Sequence, residues 1–220
     1  MIRNLATFAL LVMFLSMISC AGENGQKVTA GPEAAEQEDL PANLEMIESK
    51  DDYGYTETYF RRKSDFAREG TYIRKNEAGK VVETAEYTND TLNGTRVIFY
   101  ESGDTQYVER YKMGLFIGPY QVYYQNGQLA QEGKYIDNAM QGIWSRYYET
   151  GELMEEVTFV DNEENGPFRE YHKNGKLKAE GAYRNGDNEE GPLKLYNEEG
   201  ELIKEMDCKF GICKTVWEKK

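Results

Sequence analysis

Residues that carry chemistry are scarce in this sequence. One histidine, His172, and three cysteines, Cys20, Cys208 and Cys213, are too few to assemble a zinc site from the usual ligands. No Ser-His-Asp arrangement, glycine-rich phosphate loop or HExxH-type helix is present, so neither a metal nor another cofactor is expected. Positive charge is in deficit too. With 39 acidic against 26 basic residues the formal charge is −13, which repels nucleic acid and disfavours anionic headgroups except beside Arg61, Arg62 and Lys63.

Sustained periodicity is missing from Ala21 to about Tyr53, where the acids from Glu23 to Asp52 meet only Lys27 and Lys50. Such a stretch cannot bury enough apolar surface to order itself, and residues 20–54 are expected to form an acidic, disordered tether. A short helix over Leu40 to Ser49 is the one element it has the means to form. Residues 55–69 then read as an N-terminal capping segment.

What is present begins at the N-terminus. Arg3 precedes an apolar run from Leu5 to Ile18, short for a membrane span, and Cys20 follows at once. Residues 1–19 resemble a bacterial lipoprotein signal, with Ser19 directing cleavage and Cys20 becoming the acylated first residue; Met17 departs from the leucine usual there. The alternatives are ordinary cleavage near Ala21 or an uncleaved anchor. The resemblance implies export and lipid anchoring in a cell envelope, and Ala21 after the cysteine favours the outer membrane of a Gram-negative bacterium.

The rest of the chain repeats. Gly70, Gly94, Gly118, Gly142, Gly166 and Gly191 recur at intervals of 24 and finally 25, and each is followed nine residues later by a second glycine, Gly79 through Gly200. Asn126-Gly127 and Asn174-Gly175 predict two-residue type I′ turns, hence one β-hairpin per unit. Counting outward from such a turn places Arg74 opposite Glu83, Arg96 opposite Glu109, Arg146 opposite Glu155, Arg169 opposite Glu180 and Lys194 opposite Glu205. Five opposite-charge pairs support that register. It also sets Tyr120 against Gly133 and Phe168 against Gly181, where a ring can cover bare backbone.

Residues 211–217 form a closing half-unit. Cys208 there occupies the strand-end slot held elsewhere by Tyr87, Tyr111, Tyr135, Phe159 and Tyr183, and Cys213 the slot of Tyr120, Trp144 and Phe168. Both slots lie where neighbouring hairpins meet. A Cys208–Cys213 disulfide is expected in an oxidising compartment, the alternative being two buried thiols.

The fullest copy, Gly118 to Tyr135, reads G-x-aromatic-x-x-Y-Y-x-N-G-x-L-x-x-E-G-x-Y and resembles the MORN-repeat variant of bacterial proteins, many labelled antitoxin components (YwqK-like). The resemblance covers residues 70–217 and implies an all-β fold, an elongated single antiparallel meander of about six 24-residue hairpins plus a closing strand. Lys75 and Asn76, Arg96 and Cys208 depart from the pattern.

The candidate binding residues are the column Phe99, Tyr123, Tyr147, Tyr171 and Tyr196, whose strand parity is opposite to that of Tyr72, Tyr120, Trp144 and Phe168. The bland reading is that such ladders simply form the core. A second column, Glu132, Glu156, Glu180 and Glu205, offers paired acids for glycoside chemistry. Its repetition argues instead for architecture, because an active site needs one asymmetric place. His172, in a tyrosine slot, reads as an ordinary strand residue. The expected function is therefore non-enzymatic: an envelope lipoprotein scaffold that binds a protein partner. A glycan or peptidoglycan binder is the alternative, and a toxin-immunity role the third reading.

Overall fold

The computed structural model describes residues 41–220; Cys20, the signal segment and the tether up to residue 40 lie outside the described residues. Within them there is no helix, and seventeen strands form one antiparallel meander that does not close into a barrel. An N-terminal hairpin of β1 (Leu44–Lys50) and β2 (Thr56–Arg62) leads into β3 (Arg68–Lys75) and β4 (Val81–Thr88). The second hairpin is β5 (Thr91–Leu92) with β6 (Gly94–Phe99) and β7 (Thr105–Lys112), the third β8 (Leu115–Phe116) with β9 (Gly118–Tyr123) and β10 (Leu129–Ile136). The fourth to sixth are β11 (Ala139–Tyr147) and β12 (Leu153–Val160), β13 (Glu163–Tyr171) and β14 (Leu177–Tyr183), β15 (Gly191–Tyr196) and β16 (Leu202–Lys209); β17 (Ile212–Glu218) ends the sheet.

The first strand corrects the reading of the tether. Residues 44–50 are neither disordered nor helical: they pair with β2 from Leu44↔Arg62 to Lys50↔Thr56. Apolar burial is not what holds them. Arg61 Nε reaches Glu45 Oε1 at 2.8 Å across the pair, and Lys63 Nζ donates to the Ala42 carbonyl at 2.9 Å. A strand fixed by its backbone ladder and cross-strand charge leaves little trace in hydropathy.

The turns correct a second expectation. In the third hairpin Tyr124 N–H donates to the Gln128 carbonyl at 2.8 Å and Gly127 N–H to the Tyr124 carbonyl at 2.9 Å. Only Gly127 has positive φ, so the loop has three residues: a type I turn closed by a glycine bulge, not a two-residue type I′ bend. The two-residue turns with paired positive φ lie instead between hairpins, as at Asp137-Asn138, flanked by Ile136↔Ala139. One extra residue in each hairpin loop is cancelled by a bulge one pair further on, where Tyr123↔Leu129 gives way to Val122↔Gln131. The counted register therefore survives in the body of every hairpin, from Arg74↔Glu83 to Lys194↔Glu205.

Alternation along each strand makes two faces. On the core face Tyr72, Trp144, Phe168 and Leu193 are buried together with Val157, Ala179 and Cys208. Phe168 stacks on Tyr183 at 4.3 Å, and Trp144 meets Tyr135 edge-on at 5.1 Å. Each such side chain contributes about 1.5–3 kcal/mol by leaving water. Gly181 lies under Phe168 as expected, 2.8 Å separating the ring from where a Cβ would stand. Tyr120 stands opposite Gly133 in register, but the ring over that glycine is Trp144 of the following hairpin, and a methyl there would overlap the indole. Cys208 and Cys213 are direct cross-strand partners with sulfurs 2.02 Å apart, at disulfide distance, in line with this column.

Candidate functional site

The opposite face repeats one hydrogen-bonded arrangement. Glu132, Glu156 and Glu180 stand on second strands, and each accepts a hydrogen bond from a tyrosine on the first strand of the following hairpin: Tyr147 at 2.8 Å, Tyr171 at 3.1 Å and Tyr196 at 2.8 Å. The two columns read separately from sequence are thus one ladder. Earlier in the chain the acid is absent and the ladder changes with it. Phe99, with no hydroxyl, follows a hairpin that has Thr84 in the acid slot, and Tyr123, which follows Val108, bonds Gln121 of its own strand at 3.2 Å. The signal was present in the sequence: from the fourth hairpin on, every tyrosine of the column trails a glutamate by one unit.

All five candidate side chains, Phe99, Tyr123, Tyr147, Tyr171 and Tyr196, are half-buried, so the stripe keeps an accessible edge of each ring. Burial, followed by the bond to a carboxylate, raises the phenol pKa of Tyr147 and Tyr171, and pushes that of Tyr196 up to about 12. These hydroxyls stay protonated at neutral pH and act as donors. Glu205 ends the ladder without a tyrosine, because the closing half-unit has Val216 in the column's slot, five residues after Gly211.

A parallel ladder runs through the neighbouring slot. Tyr100, Tyr124 and Tyr148 donate their hydroxyls to the carbonyls of Tyr123, Tyr147 and Tyr171 at 2.7, 2.7 and 2.9 Å. His172 continues the series, with Nε2 3.0 Å from the Tyr196 carbonyl. A carbonyl only accepts, so the ring carries its proton on Nε2, and His172 serves as a tyrosine substitute in the architecture.

The charge pairs divide. Arg146–Glu155 and Arg96–Glu109 meet across their hairpins at 3.1 and 3.0 Å. Arg74, although opposite Glu83 in register, turns to Asp51 at 2.7 Å, and Lys194 reaches Glu180 at 3.7 Å in place of Glu205. Arg169 stands opposite both Glu156 and Glu180, and no ion pair joins it to either. In the second hairpin Arg96 occupies the aromatic slot of the core face, clamped by Glu83 at 2.7 Å and Glu109. Burial lowers its pKa, and the two carboxylates more than restore it, so the guanidinium stays charged.

Among the described residues no three His, Cys, Asp or Glu side chains are grouped to hold a metal ion, and no helix is long and apolar enough to cross a membrane. The geometry offers a long stripe of half-exposed rings and fixed carboxylates, suited to contact over an area. No curated protein matches the chain. Residues 117–137, 140–161 and 164–185, the third to fifth hairpins, match the MORN repeat variant family, whose non-enzymatic repeats generally serve as protein- or membrane-binding modules.

Proposed function

We propose that the protein is a non-enzymatic scaffold of the cell envelope, tethered by a lipid on Cys20, whose tyrosine–glutamate face binds a protein partner. One observation carries this reading: the same polar-aromatic environment recurs at Tyr147, Tyr171 and Tyr196 along a continuous sheet. Rings with one wet edge and one hydrogen-bonded tip suit protein interfaces, where tyrosine is enriched. A glycan ligand is the second reading, favoured by the same half-exposed rings; it is weakened because all four hydroxyls of the column are already engaged.

Capture from detergent-solubilised envelope tests it. The wild-type chain is expected to retain a stoichiometric protein that Tyr147→Ala with Tyr171→Ala releases, while Met113→Ser, at an exposed turn outside the ladder, retains it. Retention on insoluble cell-wall glycan, abolished by the same pair of substitutions, would replace the protein by a sugar. Palmitate labelling that persists in Cys20→Ser would remove the anchor.

A further inference from the structure

One slot of the repeat differs in kind from hairpin to hairpin: two residues before each leading glycine stand Arg68, Leu92, Phe116, Met140, Glu164 and Glu189. Where a ring or a cation fills it, that group covers the aromatic closing the same hairpin. Phe116 stacks on Tyr135 at 4.1 Å, and the Arg68 guanidinium lies 4.1 Å over Tyr87 while pairing with Asp90. Glu164 does neither. It is a half-buried carboxylate facing Phe159 across the β12–β13 pair. The nearby cations are occupied, Arg146 by Glu155 and Lys178 by Glu170. Burial and the charges of Glu155 and Asp187 raise its pKa, and no cation among the described residues offsets them.

Beside it a cleft of about 320 Å³ opens on the core face. Met140, Trp144 and Phe159 supply its apolar lining, and Arg146, Glu155 and Glu164 its charged walls. The column that is packed solid at Phe116 is thus open beside Glu164. This is the asymmetry that the repeated ladder lacks.

We infer that this cleft receives an arginine side chain presented by a partner protein, with the guanidinium on Glu164 and its plane against Phe159 and Trp144. Arg68 in the first hairpin is the internal precedent for the stacking, a guanidinium over Tyr87, the ring in the slot that Phe159 holds in the fourth hairpin. Arginine fits better than lysine because its flat, weakly hydrated head stacks on aromatics while it binds a carboxylate. The volume lies at the small end of ligand sites, which suits one side chain. The formal charge of −13 favours approach of a basic partner. The inference rests on the scaffold reading only for the carrier of the arginine.

The test uses the full chain with Trp217→Phe, which leaves Trp144 as its single tryptophan, after checking that the melting curve is unchanged. Acetyl-Gly-Arg-Gly-amide is expected to shift Trp144 emission saturably. Glu164→Gln should weaken that binding about tenfold, the factor that corresponds to 1.4 kcal/mol, and the norleucine tripeptide should not saturate. Equal binding by Glu164→Gln, saturation with norleucine, or no saturation with the arginine peptide overturns the inference. The peptide readout is independent of envelope capture, so its failure removes the arginine and leaves the scaffold role standing. Peptide binding without any captured protein does the reverse.

Discussion

Along β13, Phe168 points into a cluster with Val157, Ala179 and Leu193, whereas Tyr171, three residues on, lies half-exposed with its hydroxyl on Glu156. The first contact is non-directional and tolerates variety: the equivalent slot holds Tyr72, Arg96, Tyr120, Trp144, Phe168, Leu193 and Cys213. The second depends on a donor meeting an acceptor, so from Tyr147 to Tyr196 each hydroxyl meets a carboxylate, and where the acid is missing Tyr123 turns to Gln121 of its own strand. Cohesion by burial lets a face diverge from unit to unit, while cohesion by hydrogen bonds keeps a face uniform. A local cleft therefore arises on the first, and an extended stripe on the second.

The contrast breaks most visibly at the core. Phe168→Ala should cost about 3–5 kcal/mol, measured by denaturant unfolding, since it removes a buried ring that few neighbours can replace. A loss below about 1 kcal/mol would mean that the column is not the seat of stability. Next comes Gly133→Ala, whose methyl would meet the Trp144 indole. Overpacking of this kind is expected to cost about 1–3 kcal/mol and to alter Trp144 fluorescence; wild-type stability and emission would contradict the close approach. The ladder face should respond least. Tyr171→Phe is expected to lose about 0.5–1.5 kcal/mol, and a double-mutant cycle with Glu156→Gln should show the two coupled.

Alkaline titration sharpens the same point. Below pH 10 the Tyr196 phenol is protonated whether the chain is folded or unfolded, and its contribution is intact. Between pH 10 and about 12 the unfolded chain loses the proton while the folded one keeps it, so the unfolded state binds fewer protons and stability falls. Tyr196→Phe should flatten the decline over that window, read from unfolding free energy against pH.

Most of the fold was legible because glycine spacing and opposite charges constrain register from two independent directions. The turn chemistry was legible only in part. Asn-Gly signals a tight bend in isolation, but here the Asn126 amide donates to the Glu149 carbonyl of the next loop at 2.9 Å, and its Oδ1 accepts from Gln128 N–H. A three-residue loop serves that contact between units, which no single hairpin encodes. The candidate column was found as rings and the acids as a separate series; their union needed a neighbour one unit away in space. Strand β1 escaped notice because Glu45 and Arg61 hold it where apolar residues usually do.

The unmatched Glu205 beside a solitary β17 bears on how such an array ends. Every unit before it meets only its immediate neighbours, so nothing in the sheet fixes how many there must be. Duplicating residues 142–165 in place should lengthen the molecule by roughly 10 Å, two strand spacings, without disturbing either terminus. Reach, in this architecture, is a quantity that insertion or deletion of whole modules sets in discrete steps.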